Sequence, residues 1–380
     1  MKNKMKSKIL TTHVGSLPRS QELSELIFSK DNKEIFDELN FNLVVKKNVE
    51  NVVKKQLDIG LDIISDGEMS KISYATYIKE RVSGFSGESE RKAPADLDDY
   101  PDYKNKIAKS GGTPTYTRPC CTSELKSINE NLLIDDIENL LNSMKKYNHN
   151  LGFMNSASPG VINVFMPNKF YKSDDDYLDK LSNLMSKEYE LITKNGLHLQ
   201  IDCPDLALAR HMNYKDLSEK EFLIRAEKQV EAINNSLKNV PYDNTRMHVC
   251  WGNYEGPHTH DIPLVKILPL ILKTNVKYIL IESSNPRHAH EWKVFEEIKL
   301  PKNKIVVPGV IDSTSNFVEH PEVVADRLKQ FSKVVPKEQI IAGADCGFST
   351  FAGFGKVDEQ IVYAKLKSLV DGAKLASNSI

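Results

Sequence analysis

DDYLDKLSNLMSKEYELITKNGLHLQIDCP (175–204) carries two periodicities back to back. Residues 175–196 repeat apolar side chains at helical spacing and end in Asn195-Gly196, as a helix C-terminus does. Residues 197–204 then turn into a short apolar run that finishes on Asp202 and Cys203, which predicts a strand delivering polar groups at its C-terminal end.

The same run recurs along the chain: KILTTHVGS (8–16), LDIISDGE (61–68), NLGFMNSASPG (150–160), RMHVCWGN (246–253), YILIESS (278–284), KIVVPGVID (304–312) and QIIAGADCG (339–347). Helical periodicity separates most of them, at 218–237, 320–335 and 358–377 among others. Near-continuous apolar strands alternating with helices imply a parallel sheet covered on both faces. Eight strand units, with no G-x-G-x-x-G after the first, favour an α/β fold of the closed (β/α)8 TIM type over a doubly wound open sheet. Residues 84–125 are polar and rich in Gly and Pro at their start, and read as an excursion, a hairpin after the second strand, within a single barrel domain spanning 1–380.

Charge and composition narrow the partners. Lys plus Arg (51) almost cancels Asp plus Glu (52), so no global field draws in nucleic acid or an acidic membrane. No apolar run has transmembrane length, and the basic start lacks the apolar core of a signal peptide, which reads as a cytoplasmic protein acting on small molecules. Five scattered cysteines in such a chain are free thiols or metal ligands, not a disulfide framework.

In a barrel of this type, the polar residues at strand C-termini build the active site. Ser16, Asp66, Glu68, Asn155, Ser156, Asp202, His248, Cys250, Glu282, Asp312, Asp345 and Cys346 fall there. His248 and Cys250 sit two apart on one strand, so their side chains leave the same face. Glu282 caps the next strand and Cys346 the last. One imidazole, two thiolates and one carboxylate make a tetrahedral zinc shell. Cysteines packed as small apolar residues are the competing reading.

The motifs THVGSLPR (12–19), SDGE (65–68), LQIDCP (199–204), HVC (248–250), IESS (281–284), PGVID (308–312) and DCG (345–347) together resemble the catalytic C-terminal barrel of the cobalamin-independent methionine synthase family. The resemblance implies zinc held by His248, Cys250, Glu282 and Cys346. It also implies homocysteine gripped by its amino-acid end, with Ser16 near the carboxylate and Glu68 and Asp202 near the ammonium. The activity implied is zinc-dependent thiol methyl transfer, giving methionine from homocysteine. Alkylation of a thiol such as coenzyme M, as in epoxyalkane:coenzyme M transferases, resembles it over the zinc motifs. A metal-free decarboxylase of the uroporphyrinogen decarboxylase type shares the barrel but has no use for the quartet, and a zinc-binding protein without turnover is a further alternative.

Three departures bear on the methyl donor. This chain cannot hold the second barrel of the full-length synthases. Cys203 stands where their motif has glutamate, and DSTS with Thr314 stands where they have a histidine proposed to protonate the departing folate. The partners are thus a small-molecule thiol and a methyl donor left open, a methyl-donating corrinoid protein among them. His258 and His260, on the loop after the zinc strand, are the other candidates for a proton donor besides Thr314. Trp251 is expected to pack the barrel rim, and Arg19, Arg118 and Arg287 are candidates for an acidic substrate group.

Overall fold

Each apolar run forms a strand at its expected place in the structure, a computed structural model that describes residues 8–109, 116–127, 129–353 and 355–380. In chain order the strands are β1 (Leu10–Thr11), β2 (Ile64–Ser65), β3 (Val82–Ser86), β4 (Cys120–Ser127), β5 (Gly152–Ala157), β6 (His198–Asp202), β7 (Thr245–Val249), β8 (Tyr278–Ile281), β9 (Ile305–Ile311) and β10 (Ile341–Ala344). Eight of them form one parallel sheet in the order β1-β10-β9-β8-β7-β6-β5-β2. Its two ends meet: Ile63 N–H donates to the Thr11 carbonyl at 3.0 Å, and the Thr12 hydroxyl to the Ile63 carbonyl at 3.1 Å. The fold is the predicted (β/α)8 barrel.

The remaining two strands are the predicted excursion. β3 and β4 pair antiparallel, with Val82 opposite Ser127 and Ser86 opposite Cys120, so the pairing begins slightly outside the 84–125 boundary. The helix Pro101–Lys109 lies on the excursion between them. Among the described residues, no helix is long and apolar enough to cross a membrane.

Local chemistry sets the helix ends. The helix Asp174–Lys194 starts at Ser173, whose hydroxyl accepts from Asp176 N–H, and gives way at Gly196 with φ +83°. Ser218 and Glu221 close a reciprocal capping box at the start of Glu219–Ser236.

The two-residue period of the strands sorts the barrel into an outside and an inside. Met247, Val249, Ile279, Ile281, Leu199 and Ile201 face the helices in the larger apolar cluster. Leu10, Ile63, Phe153, Tyr278, Leu280 and Val307 fill the barrel interior in a second, smaller one. On β7 the alternation turns Arg246 and His248 inward, and Cys250 follows them just past the strand. Arg246 lies deepest, its guanidinium 3.7 Å from the Phe153 ring centroid and bonded to the Thr12 hydroxyl and His13 carbonyl. His248 and Cys250 are therefore lifted to the mouth by one and two steps of the same face.

Candidate metal and substrate site

The ligand atoms of His248, Cys250 and Cys346 lie within 4.8 Å of one another, all three residues buried. The two sulfurs are 3.7 Å apart. Both ring nitrogens of His248 are buried without a hydrogen-bond partner, and burial holds its imidazole neutral at a pKa of about 3. Contact with Cys346 and burial push the Cys250 thiol well above its ordinary range. A neutral imidazole with both nitrogens unpartnered, beside a pair of thiols in one buried spot, supplies the donors that zinc favours.

Glu282 stands beside this trio but outside the 4.8 Å group. Its Oε1 accepts from Trp251 N–H at 2.8 Å and its Oε2 from Asn285 Nδ2 at 2.9 Å, with burial pushing its carboxyl well up. Asp345 fixes the same corner by accepting from the backbone N–H groups of Ser283, Ser284 and Asn285, each at 2.8 Å. Only glycine fits at 309, since a Cβ there would sit 2.1 Å from Asp345 Oδ1. Asn253 Nδ2 donates to the Gly347 carbonyl at 2.7 Å and so ties the loop after β7 to the loop carrying Cys346.

The trio opens into a chamber of about 740 Å³ that Ser16, Glu68 and Asp202 also line. Burial, then the nearby Asp202 charge, lifts Glu68 to about 8, and its Oε2 is buried without a partner. Burial lifts Asp202 to about 6. Asn155 Nδ2 at 2.9 Å and Gln200 Nε2 at 3.3 Å orient the Asp202 carboxylate. Ser16 Oγ accepts from Ser349 N–H at 3.4 Å. Two neighbouring acids, both raised chiefly by burial, form a receptor for a cationic amine.

The outer part of the chamber is aromatic. Tyr116 and Phe351 stack with ring centroids 4.9 Å apart, Tyr74 tilts against Phe351 at 5.6 Å, and Arg118 covers the Phe165 ring at 4.6 Å. Glu88, Pro94 and Leu97 of the excursion complete the lining. Asp96 locks the excursion down: its carboxylate accepts from the Tyr254 hydroxyl at 2.8 Å and from His258 N–H at 2.6 Å.

Of the remaining sequence candidates, His258, His260, Thr314, Trp251 and Arg287 lie off the chamber lining. His258 has φ +53°, its Nδ1 pairs with Asp261 at 2.9 Å, and its Nε2 contacts the Tyr254 carbonyl at 3.0 Å. His260 pairs with Asp99 at 2.6 Å on the exposed side. The Thr314 hydroxyl donates to Asp312 Oδ1 at 2.9 Å. Trp251 is buried, as expected for the rim, with Nε1 donating to the Ile262 carbonyl at 2.7 Å. Arg287 is exposed, whereas Arg118 lines the chamber.

The sequence places Asn155 and Asp345 among the strand-end polar residues without a specific role, and singles out none of Asp96, Gln200, Asn253 or Asn285. For Asn155 and Asp345 a signal existed, a polar residue at the end of an apolar strand. For Asp96 and Asn253 none did, because their partners lie far away in sequence.

The family described as the cobalamin-independent synthase catalytic domain matches residues 9–94 and 173–375. Methionine synthase of Sulfurisphaera tokodaii is 26% identical over 97% of this chain and 93% of its own length. That of Thermococcus kodakarensis is 22% identical over 97% and 94%. Among solved structures, a B12-independent methionine synthase from Shewanella sp. W3-18-1, in complex with selenomethionine, superposes with a TM-score of 0.74 at 18% identity, covering 98% of both chains. The zinc-type trio, Glu282 and the two chamber acids all fall within the matched residues, and the chain belongs to the catalytic-domain family of the cobalamin-independent synthases.

Proposed function

We propose that this protein transfers a methyl group to the thiol of homocysteine, giving methionine, with zinc held by His248, Cys250 and Cys346 and completed by Glu282. The carrying observation is that the imidazole–dithiol trio and the Glu68–Asp202 acid pair open into the same chamber. When bound, zinc supplies the Lewis acidity that keeps a substrate thiol ionised at neutral pH, where a free thiol with pKa about 8.5 is only a few per cent thiolate. Glu68 and Asp202 bind the substrate ammonium, and Ser16 offers its hydroxyl to the carboxylate. Trp251 N–H and Asn285 hold Glu282 in place. In the transfer, a sulfur–methyl bond forms, the donor–methyl bond breaks and the thiol proton leaves.

The acid pair favours homocysteine over coenzyme M, because a sulfonate without an amine offers the pair no cation and would meet the ionised Asp202. The relatives named as methionine synthases support the same acceptor. The family is cobalamin-independent, and the proposed reaction requires no corrinoid protein.

The reading is tested by mass-spectrometric detection of methionine from the zinc-loaded protein with homocysteine and a panel of methyl donors. Methylation of coenzyme M in preference to homocysteine would overturn it. Glu68→Gln is expected to lower kcat/KM for homocysteine by the equivalent of about 2–4 kcal/mol, because an ammonium in a confined site loses its ionic partner.

A pH dependence follows from the same residue. With its pKa raised to about 8, Glu68 is mostly in the acid form at neutral pH in the free protein and must lose that proton to grip an ammonium. The ratio of kcat/KM for homocysteine to that for 4-mercaptobutanoate, the same thiol without the amine, is expected to rise with pH towards about 8. Thiol ionisation affects both acceptors and cancels in the ratio. A flat ratio from pH 6 to 8 would remove Glu68 from the amine contact.

A further inference from the structure

Arg19 follows the GSLP segment and is one of the arginines that the sequence offers as a binder of an acidic substrate group. The structure gives its terminal nitrogens other work. Nη1 donates to the Ser349 carbonyl at 2.8 Å and hydroxyl at 3.1 Å, and Nη2 donates to the carbonyls of Glu68 at 2.6 Å and Lys71 at 3.0 Å. Three of these four acceptors are main-chain carbonyls, on two loops that sequence separates by almost the whole chain.

Those loops are the ones that matter for the acceptor. Glu68 sits at φ +58°, in the left-handed region that residues with side chains seldom adopt, directly after Gly67 at φ +68°. Asp66 Oδ1 accepts from Glu68 N–H at 3.0 Å, Leu17 N–H donates to the Gly67 carbonyl at 3.1 Å, and Arg19 takes the Glu68 carbonyl from the other side. The turn is thereby held at the Glu68 N–H, the Gly67 carbonyl and the Glu68 carbonyl, with Glu68 on the chamber wall. On the far loop, Phe348 N–H donates to the Ser16 carbonyl at 2.9 Å, and Ala352 N–H to the Ile72 carbonyl at 2.9 Å. The segment 16–19 is thus the seam between the turn that bears Glu68 and the loop that follows Cys346, and Arg19 is its four-point staple.

We infer that Arg19 is a positioning residue for acceptor recognition: it holds the Glu68 turn in its left-handed conformation against the 346–352 loop, and so sets the discrimination between amine-bearing and amine-free thiols. This rests on the proposed homocysteine reading. The planar fork is what the site uses. Its two terminal nitrogens serve four acceptors on two loops at once, more than the three donors of a lysine ammonium can match. Cys346 does not depend on the staple in the same way, because β10 and the Asn253 contact to Gly347 hold its backbone independently.

The test uses Arg19→Gln and Arg19→Lys in the full chain, with homocysteine and 4-mercaptobutanoate as acceptors and bound zinc measured in each sample. Arg19→Gln is expected to raise KM for homocysteine about 10-fold or more, with kcat within about 3-fold, the amine-free thiol nearly unaffected and zinc retained. Arg19→Lys, with fewer donors for the same four acceptors, is expected to fall between wild type and Arg19→Gln. A parallel loss with both acceptors would show a general structural role and overturn the inference, as would an unchanged selectivity ratio in both variants. If Arg19→Gln fails to fold, Arg19→Lys decides: a wild-type selectivity ratio in it overturns the inference. A wild-type protein with no preference for homocysteine over 4-mercaptobutanoate would sink the acceptor reading itself, which is a different outcome from a preference that survives loss of Arg19.

Discussion

Cys250→Ser and Cys346→Ser are each expected to reduce bound zinc to below about a tenth of an ion per chain and to abolish methyl transfer, with the barrel still folded. A serine hydroxyl does not ionise near neutral pH, so either change leaves one thiol and one imidazole where the trio stood. The sulfurs are 3.7 Å apart, so neither can be replaced by a shift of the other. The fold is expected to survive because neither cysteine belongs to the apolar cluster inside the barrel or to the one beneath the helices. Glu282→Gln is expected to weaken zinc by about 10- to 100-fold only, since the side chain lies at the edge of the trio and its oxygens already serve Trp251 and Asn285. Elemental analysis of the purified variants, beside their thermal melts, checks all three. A full zinc complement in Cys346→Ser would take that residue out of the site and leave the metal to His248, Cys250 and Glu282.

The contrast between what was legible and what was not follows from the range of the interactions. Strand and helix periodicity is local, so the eight runs, their order and the hairpin after β2 were readable from short windows. The inward face of β7 was readable for the same reason: His248 and Cys250 share it by counting in twos, and Cys346 joins them because the last strand of a barrel closes on the first. The surroundings of those three residues were not readable. Glu282 looks like a simple fourth ligand in YILIESS, yet its carboxylate is held by Trp251 N–H from one loop and Asn285 from another. Arg19 looks like a substrate arginine until the loops at 68–71 and 349 are folded against it. The Asp96 contact with Tyr254 and His258 joins positions over 150 residues apart, and no spacing in the sequence announces it. Polar residues at strand ends declare themselves. The residues that hold them in place are defined by tertiary packing.

Methyltetrahydrofolate is expected to be a slow methyl donor, by about 100-fold or more against a sulfonium donor or free methylcobalamin at saturating homocysteine. A folate nitrogen is a poor leaving group unless it is protonated as the methyl departs, whereas a sulfonium leaves as a neutral thioether and a methyl-corrinoid leaves without taking a proton. The synthases this chain resembles carry a histidine at the place of Thr314. A threonine hydroxyl is far too weak an acid for that task at neutral pH, and this one already donates to Asp312. The neighbouring histidines do not stand in for it. His258 is held between Asp261 and the Tyr254 carbonyl, and His260 faces Asp99. His288 has Glu291 at 2.7 Å on one ring nitrogen and Asp261 at 2.9 Å on the other. Although burial opposes it, these carboxylates hold His288 at about 10, so it keeps its proton at neutral pH. Within the chamber, burial pushes the Tyr74 phenol well above its ordinary range, and Glu68, at about 8, gives up its proton to receive the substrate ammonium. With Asp202 engaged by the same ammonium in the proposed complex, none of these side chains is an acid free to protonate a departing folate nitrogen. Initial rates with the three donors, in wild type and in His258→Gln, His260→Gln and His288→Gln, provide the comparison. Folate turnover within about 10-fold of the sulfonium rate, unchanged in all three variants, would defeat the argument and require a proton source other than these side chains.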